Sequence, residues 1–353
     1  MLNKLLNKFQ NQNSGDNCIN NQSQQIIQHI YQGITIEQVR EIALQVFHDN
    51  MPKLSKEAND LAKERASYLT DRLIGALTLC TPSIINNFSD PDLQYSLTQA
   101  QIAYARSGDM RLVEILVDIL IKRASSNEDL EKIVLNETLA VLPKLTSAHL
   151  DILALIFTVV YTKSGNVVSI EDLIQYLNNA IFPVLEDIKT ESSHYQHLEY
   201  AGCGSMKMSQ VSVSNVLREN YTGLFCKGFP MDKIESIDTS ERLKKLVIPC
   251  IHNKSMYQFN AIALDVLIDL AQKAGLDSRQ IAHINALVNS NLMNDKEISD
   301  FIVSKLPSLD SLFKIWDYPI NSFTLTTVGI AIAISVLRQK CPSVEYNLKD
   351  WLT

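Results

Sequence analysis

The clearest structural signal in the chain is PDLQYSLTQAQIAYARSGDMRLVEILVDILIKRA, residues 91–124. Apolar residues recur in its first half at three- and four-residue intervals, which is the spacing of one face of an α-helix. Gly108 and Asp109 interrupt the pattern, and this pair is typical of one helix ending and the next being capped. The helical period then resumes with Leu112, Ile115, Leu116, Ile119 and Leu120. The stretch therefore predicts two helices joined by a short turn.

Similar patterns lie on both sides of this hairpin. Thr35 and Gln38 have the spacing of a capping box at the start of a helix over residues 35–48. Further helices are predicted over residues 55–79, 127–142, 146–161, 169–187, 260–274 and 277–289. Glycine is scarce, with 11 in 353 residues, which argues against the many tight turns of an all-β fold. We predict an all-α fold, either a helical bundle or stacked helical hairpins, with a short β-prone segment at its N-terminus.

Two regions differ from this pattern. Residues 190–260 are irregular, and the alternation of Val211 and Val213 with polar neighbours predicts a brief strand within 206–215. Residues 323–337, FTLTTVGIAIAISVL, are strongly apolar and uncharged. They are shorter than the roughly 20 residues that span a bilayer. We expect a buried core helix beginning near Thr324, and a transmembrane span is the alternative.

Composition limits the classes of partner and compartment. Hydrophobic residues make up 46% of the chain and charged residues 20%, so a large core is available. The net charge of −7 argues against a broad nucleic-acid interface, and we expect no nucleic-acid partner. The cysteines are scattered without a C-x-x-C pair, and the start MLNKLLNKF lacks the features of a secretory signal. These features favour the cytoplasm.

The amide-rich strip, residues 10–32, reads QNQNSGDNCINNQSQQIIQHIYQ and contains no Lys, Arg, Glu or Pro. Asn and Gln side chains form ladders when identical segments stack, so this composition indicates self-association. A disordered polar tail is the alternative. The residues expected to take part are Gly15, Asp16, Asn17, Ile19, Asn20, Gln22, Ile26, Ile27 and Ile30.

The domain organisation follows from these segments. Residues 1–33 hold an amphipathic start and the amide-rich strip, residues 34–190 a helical bundle, and residues 191–353 a second helical part. The boundary near residues 188–192 is soft, and one continuous helical domain is the alternative. Leu2, Leu5, Leu6 and Phe9 share one face of the amphipathic start, which would either touch a membrane or pack within the assembly.

The best candidate for chemistry is HYQHLEYAGCG, residues 194–204. His194 and His197 would share a helical face, and with Cys203 they form a candidate zinc-ligand set, although a second ligand pair is missing. Cys203 is also a candidate nucleophile, because a cysteine between glycines can be exposed. The alternative for each is ordinary packing. Phosphate-loop, dinucleotide-binding, H-E-x-x-H and G-x-S-x-G motifs are missing from the sequence.

Several strings together resemble an uncharacterised family of bacterial helical proteins. They are GDNCINNQ, IEQVREIALQVFHDNMPKLSKEANDLAKERA, DPDLQYSLTQAQIAYARSGD, LEYAGCG and LTTVGIAIAI. The N-terminal GDN-x-x-N-x-Q string also resembles motifs shared by bacterial conflict and phage-defence proteins. The resemblance implies a cytoplasmic bacterial protein and assigns no catalytic residue. Ser23, Gln24 and Gln25 depart from the usual continuation of the strip.

Three functional hypotheses follow. The leading one is a cytoplasmic scaffold or sensor that forms homo-oligomers through residues 10–32, binds an unidentified protein partner and requires no cofactor. The second is an enzyme that uses residues 194–204 with zinc or with Cys203. The third is a membrane-acting effector that inserts residues 2–9 or 323–337.

Overall fold

The computed structural model describes residues 35–50, 55–79, 82–185, 188–342 and 345–352. Its α-helices are α1 (Ile36–Asn50), α2 (Lys56–Leu77), α3 (Pro82–Asn86), α4 (Pro91–Ser107), α5 (Met110–Ser125), α6 (Asp129–Val141), α7 (Ser147–Ile156), α8 (Ile170–Ala180), α9 (Ser192–Tyr200), α10 (Val213–Asn220), α11 (Met231–Glu235), α12 (Glu241–Lys244), α13 (Leu264–Lys273), α14 (Ser278–Ser290), α15 (Asp295–Lys305), α16 (Asp310–Ile315) and α17 (Thr327–Lys340). The strands within these ranges are β1 (Gly204–Met206), β2 (Val247–Pro249), β3 (Tyr257–Phe259) and β4 (Phe323–Leu325). The prediction of an all-α fold is confirmed.

Shorter turns continue several of these helices. A π-helical turn, Phe157–Tyr161, extends α7. The 3₁₀ turns are Asn87–Ser89, Leu142–Lys144, Phe182–Val184, Thr222–Phe225, Pro307–Leu309, Ile320–Ser322 and Leu348–Trp351.

The first helices begin and end where their capping residues predict. The backbone N–H of Thr35 donates to the side chain of Gln38 at 2.9 Å, and the Gln38 N–H donates back to the Thr35 hydroxyl at 3.2 Å. Gly108 ends α4 in the left-handed conformation, and Asp109 then caps α5 by accepting from the Arg111 N–H. The apolar face predicted for α5 is buried. Local sequence therefore fixes this half of the bundle.

The apolar C-terminal helix lies in the core. α17 packs against α5, α6 and α7, and every residue from Gly329 to Leu337 is buried. It begins at Thr327 rather than near Thr324, because residues 323–325 form β4 and pair antiparallel with β1. Within the described part of the chain, no helix has both the length and the hydrophobicity to cross a bilayer.

Charged residues fix the end of α17 against the bundle. Lys340 and Arg111 both pair with the buried carboxylate of Asp151, at 3.0 and 2.8 Å. Two residues earlier, Arg338 pairs with Asp118 of α5. Removing one partner of a buried ion pair typically costs about 3–5 kcal/mol. These contacts therefore set the position of α17 along its axis.

The second half of the chain adds a smaller core of its own. Phe229, Leu243, Phe259 and Leu267 belong to a cluster built by α11–α14 and the β2–β3 ribbon. The main cluster, in contrast, contains residues from Val39 to Leu348 and so spans the predicted boundary near residues 188–192. That boundary remains a prediction.

One local prediction was wrong. Residues 206–215 do not form the brief strand expected from Val211 and Val213, because α10 begins at Val213 with Ser212 as its cap. The strand lies earlier, at β1. Capping by Ser212 prevailed over a two-residue alternation, which is too short a pattern to specify a strand.

The close approach of α17 to Cys203 leaves no room for a side chain at Gly329, and this can be tested. A Cβ added at Gly329 would lie 2.0 Å from the backbone oxygen of Cys203. We expect Gly329→Ala to lower the free energy of unfolding by about 2–3 kcal/mol, since a backbone atom must move. Urea unfolding followed by circular dichroism measures it.

Gly75→Ala is the matched control. An added Cβ there meets no atom within 4 Å in the last turn of α2. This substitution should stabilise the protein by about 0.5–1 kcal/mol, because Ala is the better helix former. Equal destabilisation by both substitutions would contradict the proposed close packing at Gly329.

Candidate functional site

His194 and His197 lie on the same face of α9, as predicted, but they meet a partner that the sequence analysis missed. That partner is His149 in the first turn of α7. The His149 and His194 ring centroids are 5.0 Å apart in an edge-to-face arrangement. The His149 and His197 rings stack with centroids 5.0 Å apart. We call His149, His194 and His197 the histidine cluster.

Hydrogen bonds fix which ring nitrogens carry protons in the histidine cluster. The Thr146 N–H donates to His149 Nδ1 at 3.1 Å, so His149 carries its proton on Nε2. His149 Nε2 lies 3.0 Å from His194 Nδ1, which must therefore accept. His197 Nε2 lies 2.8 Å from the Lys144 carbonyl oxygen and must donate to it. The hydrogen bonds thus place a proton on Nε2 of His149 and of His197 and require an unprotonated Nδ1 on His194.

The surroundings of His149 oppose its protonation. Its side chain is only 5% exposed. Burial, helped by the nearby His194 and His197, lowers the pKa of His149 to about 4. The position in the first turn of α7 acts in the same direction, because the N-terminus of a helix disfavours positive charge.

Cys203 does not join the histidine cluster. Its side chain is fully buried in the main core. Its N–H donates to the Leu198 carbonyl, and its own carbonyl accepts from the Thr326 N–H at 3.0 Å. Thr326 caps α17, so the Cys203 backbone holds the start of that helix.

The flanking glycines serve packing at this position. Gly202 has φ of +81°, which side chains rarely adopt, and it makes the turn between α9 and β1. A Cβ added at Gly204 would lie 2.2 Å from the Phe323 ring and 2.5 Å from the Thr324 carbonyl oxygen. The Gly-Cys-Gly string is therefore explained by the close contact of β1 with β4.

The chemistry of Cys203 follows from its burial. Burial raises the pKa of the Cys203 thiol to about 12, against a smaller opposing effect of Lys144. The thiolate is the reactive form of cysteine, and almost none of it exists at neutral pH with such a pKa. This geometry gives no support to Cys203 as a nucleophile.

The expected zinc-ligand set is likewise not assembled. Within the described ranges, no group of three or more His, Cys, Asp or Glu side chains is arranged to hold a metal ion. His197 is directed to a backbone carbonyl and Cys203 into the core. We therefore do not assign His194, His197 or Cys203 as metal ligands. The self-association residues, from Gly15 to Ile30, lie outside the described residues.

Comparison with known proteins places the helical body in a family. One family model, described only as "-like", matches residues 33–352. The chain belongs to this uncharacterised family. The match takes in all of the described residues and leaves the amide-rich strip outside. Searches of curated proteins and of solved structures each found no match.

The burial of Cys203 predicts its reactivity. In the folded protein at neutral pH, we expect Cys203 to react with iodoacetamide about a hundredfold or more slowly than in guanidinium chloride, because it is buried and protonated. Peptide mass spectrometry after timed alkylation measures both rates. Rapid labelling of Cys203 in the folded protein would instead restore the nucleophile hypothesis.

The low pKa of His149 predicts a dependence of stability on pH. Between its ordinary value of 6.5 and about 4, the unfolded chain binds a proton that the folded chain does not. Stability from this group is therefore present above about pH 6.5 and is lost as the pH falls toward 4, by about 3 kcal/mol in all.

Urea unfolding at a series of pH values tests this for the wild type and for His149→Gln. The Gln variant should show a smaller loss between pH values of about 6.5 and 4. His283→Gln, at an exposed position on α14, is the matched control and should follow the wild type. The same pH dependence in His149→Gln and the wild type would contradict the assignment.

Proposed function

We propose that this chain is a cytoplasmic scaffold or sensor that self-associates through the amide-rich strip and presents its helical body to a protein partner. The observation that carries the proposal is the limit of the family match. It begins at residue 33, immediately after the strip, and continues to residue 352. The strip thus lies outside the part of the chain that the family model describes.

The composition of the strip supports self-association in particular. Its amide side chains both donate and accept hydrogen bonds, so identical residues on neighbouring chains satisfy one another. Isoleucines at positions 19, 26, 27 and 30 add apolar contacts between stacked copies. Both features favour pairing between chains over folding back onto one helical body.

The helical body offers apolar side chains for a partner. Leu130 and Ile133 of α6 lie three residues apart, on one face, with exposed fractions of 54% and 58%. Contiguous exposed apolar patches mark protein interaction sites, and this pair is the contact that the proposal assigns to a partner. The resemblance of the GDN-x-x-N-x-Q string to phage-defence motifs suggests a partner within a bacterial defence system.

The cysteines support a reducing compartment. Cys203, Cys226, Cys250 and Cys341 are free and buried thiols. Disulfides are uncommon in the cytosol, where reduced thiols persist. The proposed cytoplasmic location rests on this observation.

The two alternative functions rest on weaker features. An enzyme using residues 194–204 would need Cys203 to become accessible or a metal to reorganise the histidine cluster. A membrane effector using residues 323–337 would need α17 to leave the core, where nine consecutive residues are buried. Neither alternative is favoured by a specific contact in the described structure.

The proposal is tested by the mass of the full-length protein in solution. We expect mass photometry to show a mass several times that of one chain, and Ile26→Asp with Ile30→Asp to reduce it to that of a single chain. Negative charges would repel between stacked copies. Val168→Asp is the matched control, since Val168 is 75% exposed and lies outside the strip.

Circular dichroism of each variant checks that the helical body remains folded. An unchanged mass in the double variant, or a single-chain mass in the wild type, would contradict self-association through residues 10–32.

A further inference from the structure

The histidine cluster joins two elements that are far apart in sequence. His149 belongs to the first turn of α7, whereas His194 and His197 belong to α9. α9 is also held by apolar contacts, because Tyr195 and Leu198 are buried in the main core. The histidine cluster provides the polar half of this attachment.

The hydrogen bonds of this attachment are arranged for uncharged His149 and His194 rings. His149 Nδ1 faces a donor, the Thr146 N–H, and His149 Nε2 donates to His194 Nδ1. A proton added to His194 Nδ1 would face the Nε2–H of His149, and two donors would then point at each other. A proton added to His149 Nδ1 would displace the Thr146 N–H, and the Thr146 hydroxyl, 3.2 Å from Nδ1, would be the nearby acceptor. The first protonation makes the contact between α7 and α9 repulsive. The second keeps the His149 Nε2–H donating to His194 but places a positive charge in a buried site, and releasing α9 would expose that charge to water.

The charged groups around the histidine cluster compensate only weakly for such a proton. Glu191, which precedes α9, lies 4.0 Å from His194 Nε2, on the far side of the ring from His149. Glu199 accepts from the Met206 N–H. On α7, Asp151 is already paired with Arg111 and Lys340. Lys144, which precedes α7, would repel a positive ring.

The remaining titratable neighbours are also engaged or uncharged. Tyr195 donates to the Lys189 carbonyl, and the Tyr200 ring lies 6.4 Å from the His197 ring. The buried Cys203 thiol holds its proton at neutral and acidic pH. Glu191 is thus the one carboxylate that the described residues place beside a ring of the histidine cluster. Its side chain is exposed and 4.0 Å away, so it stabilises a charge on His194 only weakly.

We propose that His149, His194 and His197 form an acid-sensitive latch that holds α9 against α7 and opens when either His149 or His194 gains a proton. Opening would reach residues 192–206, because α9 leads directly to Cys203 and β1, whose backbone holds the start of α17. Acid would therefore loosen the connection 192–206 before it unfolds the bundle. This inference rests on the histidine geometry and does not depend on self-association.

A double substitution separates the latch from general acid sensitivity. His149→Gln places an amide near the position of Nε2, and His194→Asn places an amide near the position of Nδ1. Together they can retain a hydrogen bond between α7 and α9 without a titrating group. His283→Gln again serves as the control, because it removes an exposed histidine elsewhere.

Hydrogen–deuterium exchange of the full chain, with EDTA present, measures the opening at pH values of about 5 and 7.5. After correction for intrinsic exchange, we expect peptides from 192–206 to lose about tenfold in protection in the wild type and in His283→Gln. Peptides from α5 and from 278–290 should change by less than about twofold. In the double variant, peptides from 192–206 should also change by less than about twofold.

Three results would overturn the latch. The double variant could lose protection in 192–206 as much as the wild type. The wild type could lose protection uniformly across the chain, which would indicate global unfolding. The pH response could appear only when EDTA is omitted, which would indicate that a bound metal, and not the proton, controls α9.

Discussion

The structure depends on one close contact, between Gly329 of α17 and the backbone of Cys203. An apolar helix that enters a bundle must meet its neighbours without a gap, since buried voids are costly. Here the approach is so close that the Cys203 carbonyl occupies the space of a side chain at position 329. The Thr326 hydroxyl donates to the Gly202 carbonyl at 2.7 Å and its N–H donates to Cys203, so the same turn positions the start of the helix.

The other end of α17 is fixed by charge. Apolar packing alone is non-directional and would allow the helix to slide along its groove. Asp151, with 3% of its surface exposed, accepts ion pairs from Lys340 on α17 and from Arg111 on α5. Arg338 pairs with Asp118. Burial raises the pKa of Asp118, but Lys122 and Arg338 together bring that pKa below its ordinary value. These pairs specify a single register for an otherwise featureless apolar helix.

The fold class and most helix bounds were predictable because the signals are local. Asp109 and Thr35 cap their helices through residues two and three positions away, and such contacts can be read from sequence. The pairing of β1 with β4 joins residues more than a hundred positions apart and leaves no local trace. For that reason the sequence placed the start of α17 three residues too early.

The candidate site could be predicted only in part, because one of its contacts also joins residues far apart in sequence. The spacing of His194 and His197 placed both on one face of α9, but their partner His149 is 45 residues away from His194. A signal for it does exist in the sequence, since Thr146 and His149 have the spacing of a capping box. Glu or Gln usually fills the second position of that box. The histidine there joins the capping box to the contact between α7 and α9.

That substitution gives the capping box a chemical property that Gln would not supply. A Gln in the same place would cap α7 at every pH, whereas an imidazole caps it only when neutral. The α7 cap and the α9 contact therefore share one proton-dependent group, His149. Charging that ring displaces the Thr146 N–H from the cap and leaves a positive charge buried at the α9 contact. Because α9 continues into the turn that holds Gly329, the protonation state of one buried ring bears on the contact that positions the central helix. We therefore place the proposed role of residues 194–204 in this linkage, since the Cys203 thiol is buried.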